Sequence, residues 1–214
     1  MSAILSAQEL ANYLELTLYK TDAVRSDFEK LCAQAKTICA AAVSVPGSRV
    51  ELVRELLEDT PIQVSAQVGF PFGNADTDVK RFEVETAVDQ GAQEIEVVIA
   101  HGPLKEGDFK WLLREMRDVV ESADERPVKF CLELSLLNVE ETARAAQMAR
   151  EAGAHAISTG TGLIAHQPTA ESIKLLSGIL GEDFSIKVVP DKLDLDYARL
   201  LLSVGASRFG MLVK

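Results

Sequence analysis

The stretch Val128-Lys129-Phe130-Cys131-Leu132-Glu133-Leu134, the run Val139–Ala152, Gly153, and then Ala154-His155-Ala156-Ile157-Ser158 form one strand–helix–strand unit. The first and last pieces are short and mostly apolar, as buried parallel strands are. The middle piece has helical length, and Gly153 stands where a left-handed C-terminal cap belongs. Two parallel strands cannot be joined by a tight turn, so the intervening helix is the crossover.

The same unit recurs outward in both directions. Towards the N-terminus the pattern gives a short leading helix at Ala7–Leu14 and strands at Glu15–Tyr19, Ala40–Val45, Ile62–Val68 and Glu94–Ala100. Helices fall between them at Ser26–Thr37, Ser48–Leu57, Asp76–Gln90 and Asp108–Ser122. Ser26 or Asp27 is the expected start of the first crossover helix, with Phe28, Leu31, Cys32 and Ala35 on its apolar face. Towards the C-terminus come a helix at Thr169–Leu180, a strand at Ser185–Val189, a helix at Leu195–Val204 and an eighth strand at Arg208–Val213. Gly91 and Gly205 repeat the capping role of Gly153. Eight strand units favour a closed (β/α)8 TIM barrel, with a short N-terminal helix and a truncated C-terminal end, over an open doubly wound sheet. No linker interrupts the pattern, so residues 1–214 are expected to form a single domain.

Composition narrows the function. The net charge of −11 opposes binding to nucleic acid or an anionic membrane surface, both of which need a basic face. No apolar run reaches the ~18 residues of a membrane span, and Met1–Ser6 lacks the pattern of a secretory signal. Cys32, Cys39 and Cys131 are scattered and odd in number, which fits a reduced cytoplasmic protein. Cys32 and Cys39, seven apart on one helical pattern, read as core packing.

Barrel active sites lie at the C-terminal ends of the strands. That rule alone selects Thr17, Ser44, Gln67, Glu96, Glu133, Ser158 and Lys187. Glu96, Glu133 and Lys187 interrupt runs of Val, Ile, Leu and Phe, and a charge in a barrel core is costly unless paired. Glu94 and Glu96 share a strand face, so at least one is expected to point inward. Ser158 and Ser44 have no adjacent His and Asp to activate them. His101 and His166 fall near the mouth without a companion carboxylate, so no metal is expected.

Six segments, in order, resemble deoxyribose-phosphate aldolases. Leu16-Thr17-Leu18-Tyr19-Lys20 is similar to that family's HTLLK, and Gly69-Phe70-Pro71-Phe72-Gly73 to its GFPLG. Phe82-Glu83, Gly91-Ala92 with Glu94–Ile99, Gly102–Asp108 and Ala149–Ala154 resemble its FE, GADEIDMVIN, GALKSGD and AKEAGAD. The resemblance implies a cofactor-free class I aldolase, which cleaves 2-deoxyribose 5-phosphate reversibly to glyceraldehyde 3-phosphate and acetaldehyde through a lysine Schiff base. It also makes a homodimer an expectation, because a missing last helix would leave apolar surface on the eighth strand.

The family's motif ADFVKTSTG aligns with Ala154–Gly162, which puts Ser158 at the Schiff-base lysine. A hydroxyl forms no iminium. Lys187 matches the family's second lysine on strand seven, Glu96 its strand-four aspartate with one methylene added, Glu133 its strand-five glutamate, and Ser44 its early cysteine. Pro190-Asp191 replaces the Gly-Gly phosphate turn, Leu193 the following arginine, and Met211-Leu212-Val213 the serine run; Gly162 and Gly210 are retained. The expected site is therefore Lys187, Glu96 and Ser158 as the catalytic positions, with Thr17, Ser44, Glu133, Thr161, Gly162 and Gly210 contacting a small carbonyl or sugar-like ligand. An ion pair is the first expectation for Glu133, and pairing of Lys187 with Glu96 or Glu133 is favoured over nucleophilic use of its amine. Three functions stay open: a family member with this activity lost or much reduced, a repurposed aldolase or lyase using Lys187, and a non-catalytic metabolite- or protein-binding barrel.

Overall fold

The computed structural model describes residues 6–213. Most of the segment Met1–Ser6, read above for a signal, lies outside them.

Strands β1 (Leu14–Thr17), β2 (Ala42–Pro46), β3 (Gln63–Val68), β4 (Glu94–Val98), β5 (Val128–Cys131), β6 (Ala156–Ser158), β7 (Ser185–Val188) and β8 (Arg208–Leu212) pair in parallel and in sequence order. β8 pairs back onto β1, with Leu14 opposite Phe209, so the sheet closes into a barrel. The helices are α1 (Ala7–Ala11), α2 (Arg25–Ile38), α3 (Val50–Leu56), α4 (Thr77–Asp89), α5 (His101–Glu106), α6 (Phe109–Ser122), α7 (Val139–Glu151), α8 (Ala170–Leu180) and α9 (Leu195–Ser203). The expected alternation is present, and the barrel is closed.

Local chemistry sets the boundaries. α2 buries Phe28, Leu31, Cys32 and Ala35, the face that helical spacing marked. It starts at Arg25 rather than at Ser26 or Asp27, because the Asp27 carboxylate reaches back to accept from the Val24 backbone N–H. Cys39 is exposed in the left-handed conformation (φ 56°) that ends this helix, so it does not pack in the core as expected. α7 begins with a reciprocal cap between Asn138 and Glu141, and Asp108 caps α6 through the Trp111 N–H at 3.1 Å. α5 has no counterpart in the sequence reading, which carried the fourth strand on to Ala100 and went straight to the next helix. Its end is set by Gly107 (φ 77°). β5 stops at Cys131, three residues short of expectation, because Glu133 turns left-handed (φ 47°) and Leu134–Leu136 form a 3-10 turn.

The two sides of the sheet differ sharply. Outward residues such as Val43, Val45, Val64, Ala66, Ile95, Val97, Phe130, Ile157, Ile186 and Phe209 are buried against the helices. Inward residues are largely polar or charged. Residues in register on parallel strands share a side, and one ladder runs Gln67, Glu96, Lys129, Ala156, Ser185. A second runs Cys131, Ser158, Lys187, Arg208. Among the described residues no helix is long and apolar enough to cross a membrane.

Candidate active site

The barrel interior holds three carboxylates and three cations. Lys187 on β7 donates to Glu96 on β4 at 2.6 Å and also to Glu15 on β1. Lys129 on β5 donates to Glu15 at 2.8 Å and lies 3.5 Å from Glu94 and 3.9 Å from Glu96. Arg208 on β8 reaches Glu15 at 3.2 Å and also bonds Glu94. Glu15 therefore sits at the centre, holding two lysines and an arginine. Removing a charge from water costs several kcal/mol, roughly, even after relaxation, so these six groups are tolerable only because the charges balance and the contacts are close.

The network fixes protonation. Burial disfavours a charged Lys187, but the carboxylates of Glu15 and Glu96 outweigh it and raise its pKa above that of an ordinary lysine. Burial likewise disfavours a charged Glu15, yet Lys129, Lys187 and Arg208 hold its carboxyl well below the usual range. For Glu15 the stabilisation is complete above the ordinary value of 4.5 and is lost as pH falls through the depressed folded value. For Lys187 it is complete below 10.5 and is lost as pH rises through the elevated folded value. Carboxyl 13C NMR should find Glu15 still ionised at about pH 4, below the ordinary glutamate value. Titration of Glu15 at that ordinary value would contradict the network.

Ser158, in register with Lys187, is fully buried, and its hydroxyl donates to the Gly160 carbonyl at 3.2 Å. Its other register partner is Cys131, whose thiol pKa is driven well up by burial and by the nearby Glu96 and Glu133. Neither neighbour is an activated nucleophile.

Glu133 departs from expectation. It forms no ion pair among the described residues. Its carboxylate accepts from the Thr161 N–H at 2.9 Å, the Thr161 hydroxyl at 2.7 Å and the Ser135 hydroxyl at 3.0 Å. A Cβ on Gly160 would come within 2.8 Å of Glu133 Oε1. Glu133 and Thr161 thus brace the loop after β6 against the end of β5.

Each of the other expected contact positions has a local setting. Thr17 and Ser44 are in register with each other, and Ser44 accepts from the Gln67 amide at 3.2 Å. Gly210 makes room for Lys187, since a Cβ there would lie 2.6 Å from Lys187 Cε. Gly162 (φ 78°) is covered by Leu212, 2.8 Å from where its Cβ would sit. Asp191 accepts from the His166 N–H at 3.0 Å and donates its own N–H to the His166 carbonyl at 3.1 Å. Gln167 and Lys192 make a second reciprocal pair at 3.0 and 3.1 Å. The loops after β6 and β7 are laced together at the position where the family resemblance implies a phosphate turn.

His101 is half-buried, with Nε2 3.0 Å from the Leu132 carbonyl, and burial lowers its pKa. Among the described residues no group of three His, Cys, Asp or Glu stands close enough to hold a metal ion. Sequence reasoning missed Glu15, Lys129 and Arg208. Part of the signal was present, because Lys129 interrupts the apolar run of β5, whereas Glu15 and Arg208 stand at the start of their expected strands, where a charge is common.

A family model described as DeoC/LacD family aldolase matches residues 12–181. A deoxyribose-phosphate aldolase of Bdellovibrio bacteriovorus is 38% identical over 94% of this chain and 92% of its own length. One from Alkaliphilus oremlandii is 38% identical over 94% and 91%. A crystal structure assigned to deoxyribose-phosphate aldolase in Coccidioides immitis superposes with a TM-score of 0.91 at 26% identity, covering 96% of this chain and 83% of that one.

Proposed function

The chain belongs to the DeoC/LacD family of aldolases, and from that premise we propose that it is a deoxyribose-phosphate aldolase-like barrel that has lost Schiff-base cleavage of 2-deoxyribose 5-phosphate, or keeps it only at a much reduced level. It works as one domain of residues 1–214, without cofactor or metal, on a small carbonyl or sugar-like ligand at the C-terminal mouth. The observation that carries the reading is the pairing of Ser158 with a clamped Lys187. An imine-forming amine attacks the carbonyl carbon with its lone pair and then loses water, so it must spend time unprotonated. Ser158 has no amine, and the neighbouring amine is held protonated by Glu15 and Glu96. A second lysine nearby would lower the pKa of an attacking lysine; here two carboxylates do the opposite.

The same clamp argues against the repurposed-enzyme alternative, in which Lys187 itself forms the imine. The Asp191 carboxylate and the missing Pro190 N–H support loss of phosphate affinity. A homodimer and a cytoplasmic location accompany the proposal as expectations from the family. Met211 and Val213 at the end of β8 are half-buried against the core.

Incubation with acetaldehyde followed by borohydride reduction is the test. The expected result is no ethylation of Lys187 by mass spectrometry and no measurable cleavage of 2-deoxyribose 5-phosphate. An adduct on Lys187 would establish the repurposed aldolase instead, and robust turnover would overturn the loss of activity.

A further inference from the structure

A cavity of about 130 Å³ opens at the floor of the barrel, walled by the starts of β4 to β8. This is the N-terminal end of the strands, opposite the mouth. The cavity exists because one inward layer is uneven. Lys129, Ala156 and Ser185 stand in register on β5, β6 and β7. Bulky side chains usually fill such a layer. Ala156 and Ser185 are small, and the space they leave is bordered by Lys129, Lys187 and Arg208.

The charges around this space are unequal. Those three cations line it with a single carboxylate, Glu94, while Glu15 and Glu96 do not line it. The floor is thus locally cationic in a protein of net charge −11. The Lys129 and Lys187 side chains are only 5% and 4% exposed, so salt screens them weakly.

Arg208 supplies the specific geometry. Both of its bonds, to Glu15 and to Glu94, come from Nη1. Among the described residues Nε and Nη2 have no partner, and neither is sealed from solvent. The Arg208 side chain is 24% exposed, whereas Glu15 behind it is fully buried. Nε–H and Nη2–H lie parallel along one edge of the guanidinium, a fork that matches two oxygens of a carboxylate or phosphate. The cavity is well below the ~300 Å³ of an ordinary small-molecule pocket, so it suits a small ion.

We propose that the barrel floor is a binding site for a small oxyanion, a carboxylate or a phosphate, held side-on by Nε and Nη2 of Arg208. The Lys129 charge adds to the attraction. A bound oxyanion draws on the same guanidinium that holds Glu94, so Glu94 reports its arrival. The ligand enters from the end away from Ser158, and the site stands whether or not Schiff-base cleavage has been lost.

The test is an NMR titration of the full chain with sodium acetate and with inorganic phosphate. Ionic strength is held constant with sodium chloride, so that general screening does not change. Glycerol and ethylamine are the neutral and cationic controls. Arg208→Lys keeps a cation for Glu15 and Glu94 but removes the planar edge. Ser185→Leu fills the cavity from an exposed position at the start of β7. Melting curves establish that each variant is folded, and Ser185→Leu decides if Arg208→Lys is not. The expected result is saturable binding of acetate or phosphate, weakened about tenfold, or ~1.4 kcal/mol, by each folded variant. Shifts should centre on the amides of Ala156, Ser185 and Arg208 and on the Glu94 carboxyl carbon. Whichever oxyanion binds more tightly identifies the ligand as a carboxylate or a phosphate. The proposal is overturned if neither saturates below about 100 mM, if glycerol or ethylamine binds as tightly, if the shifts centre on the mouth around Ser158, or if a folded variant binds undiminished.

Discussion

Lys187→Met is expected to destabilise the protein by about 3–5 kcal/mol, because it leaves buried carboxylates without their cation. The loss falls mainly on Glu96. Glu15 keeps Lys129 at 2.8 Å and Arg208 at 3.2 Å, whereas Glu96 is left with Lys129 at 3.9 Å. In a chain of this size the melting temperature should drop by on the order of 10 °C. Adding Glu96→Gln to the variant removes the unpaired charge and should return part of the loss. Urea unfolding with an unchanged slope gives the comparison. A Lys187→Met penalty below about 1 kcal/mol would mean that water, not the network, satisfies Glu96. The result also bears on function, because an amine whose removal is this costly is serving as a structural cation.

Lys80→Met is the second large effect, and its companion change should reverse it. Lys80 on α4 is fully buried and bonds Glu115 on α6 at 2.8 Å, and Thr77 donates to the same carboxylate at 3.2 Å. The lysine stem also backs the turn after β3, where a Cβ on Gly69 would lie 3.1 Å from Lys80 Cε. Burial lowers the pKa of Lys80 despite Glu115, so desolvation exceeds the gain from the pair. Removing Lys80 alone should cost about 3–5 kcal/mol, since Glu115 is then buried and unpaired. The double variant Lys80→Met with Glu115→Leu should match or exceed the wild type, because an apolar pair of similar volume carries no desolvation cost. Thermal and urea melts of the wild type and the two variants decide this. A double variant no better than Lys80→Met would show that the pair contributes to stability in its own right.

Much of the fold was written in local pattern. Apolar runs of four to six residues, helices with one apolar face, and a glycine after Gly91-type helix ends are all short-range signals. They placed every strand to within a few residues. The misses were local competitions that pattern does not resolve. Asp27 reached back to Val24 and moved a helix start. Glu133 turned left-handed and cut β5 short. His101–Glu106 coiled into a helix too short to show a periodicity.

The sequence by itself determined an eight-unit barrel, its family, and the absence of an amine at Ser158. Those follow from residue identity and from spacing along the chain. Only the tertiary structure decided what Lys187 is. Its partners Glu15 and Glu96 lie 172 and 91 residues away in the chain, and they meet it only because closing a tilted sheet carries inward side chains of β1, β4 and β7 to one axis. The same closure assigned Gly210 the role of making space for Lys187, and turned Glu133 from an expected ion-pair partner into the acceptor that fastens Thr161. Strand parity is a local property, so a sequence can say that a charge points inward. Which opposite charge it finds there depends on the register of strands across the whole barrel.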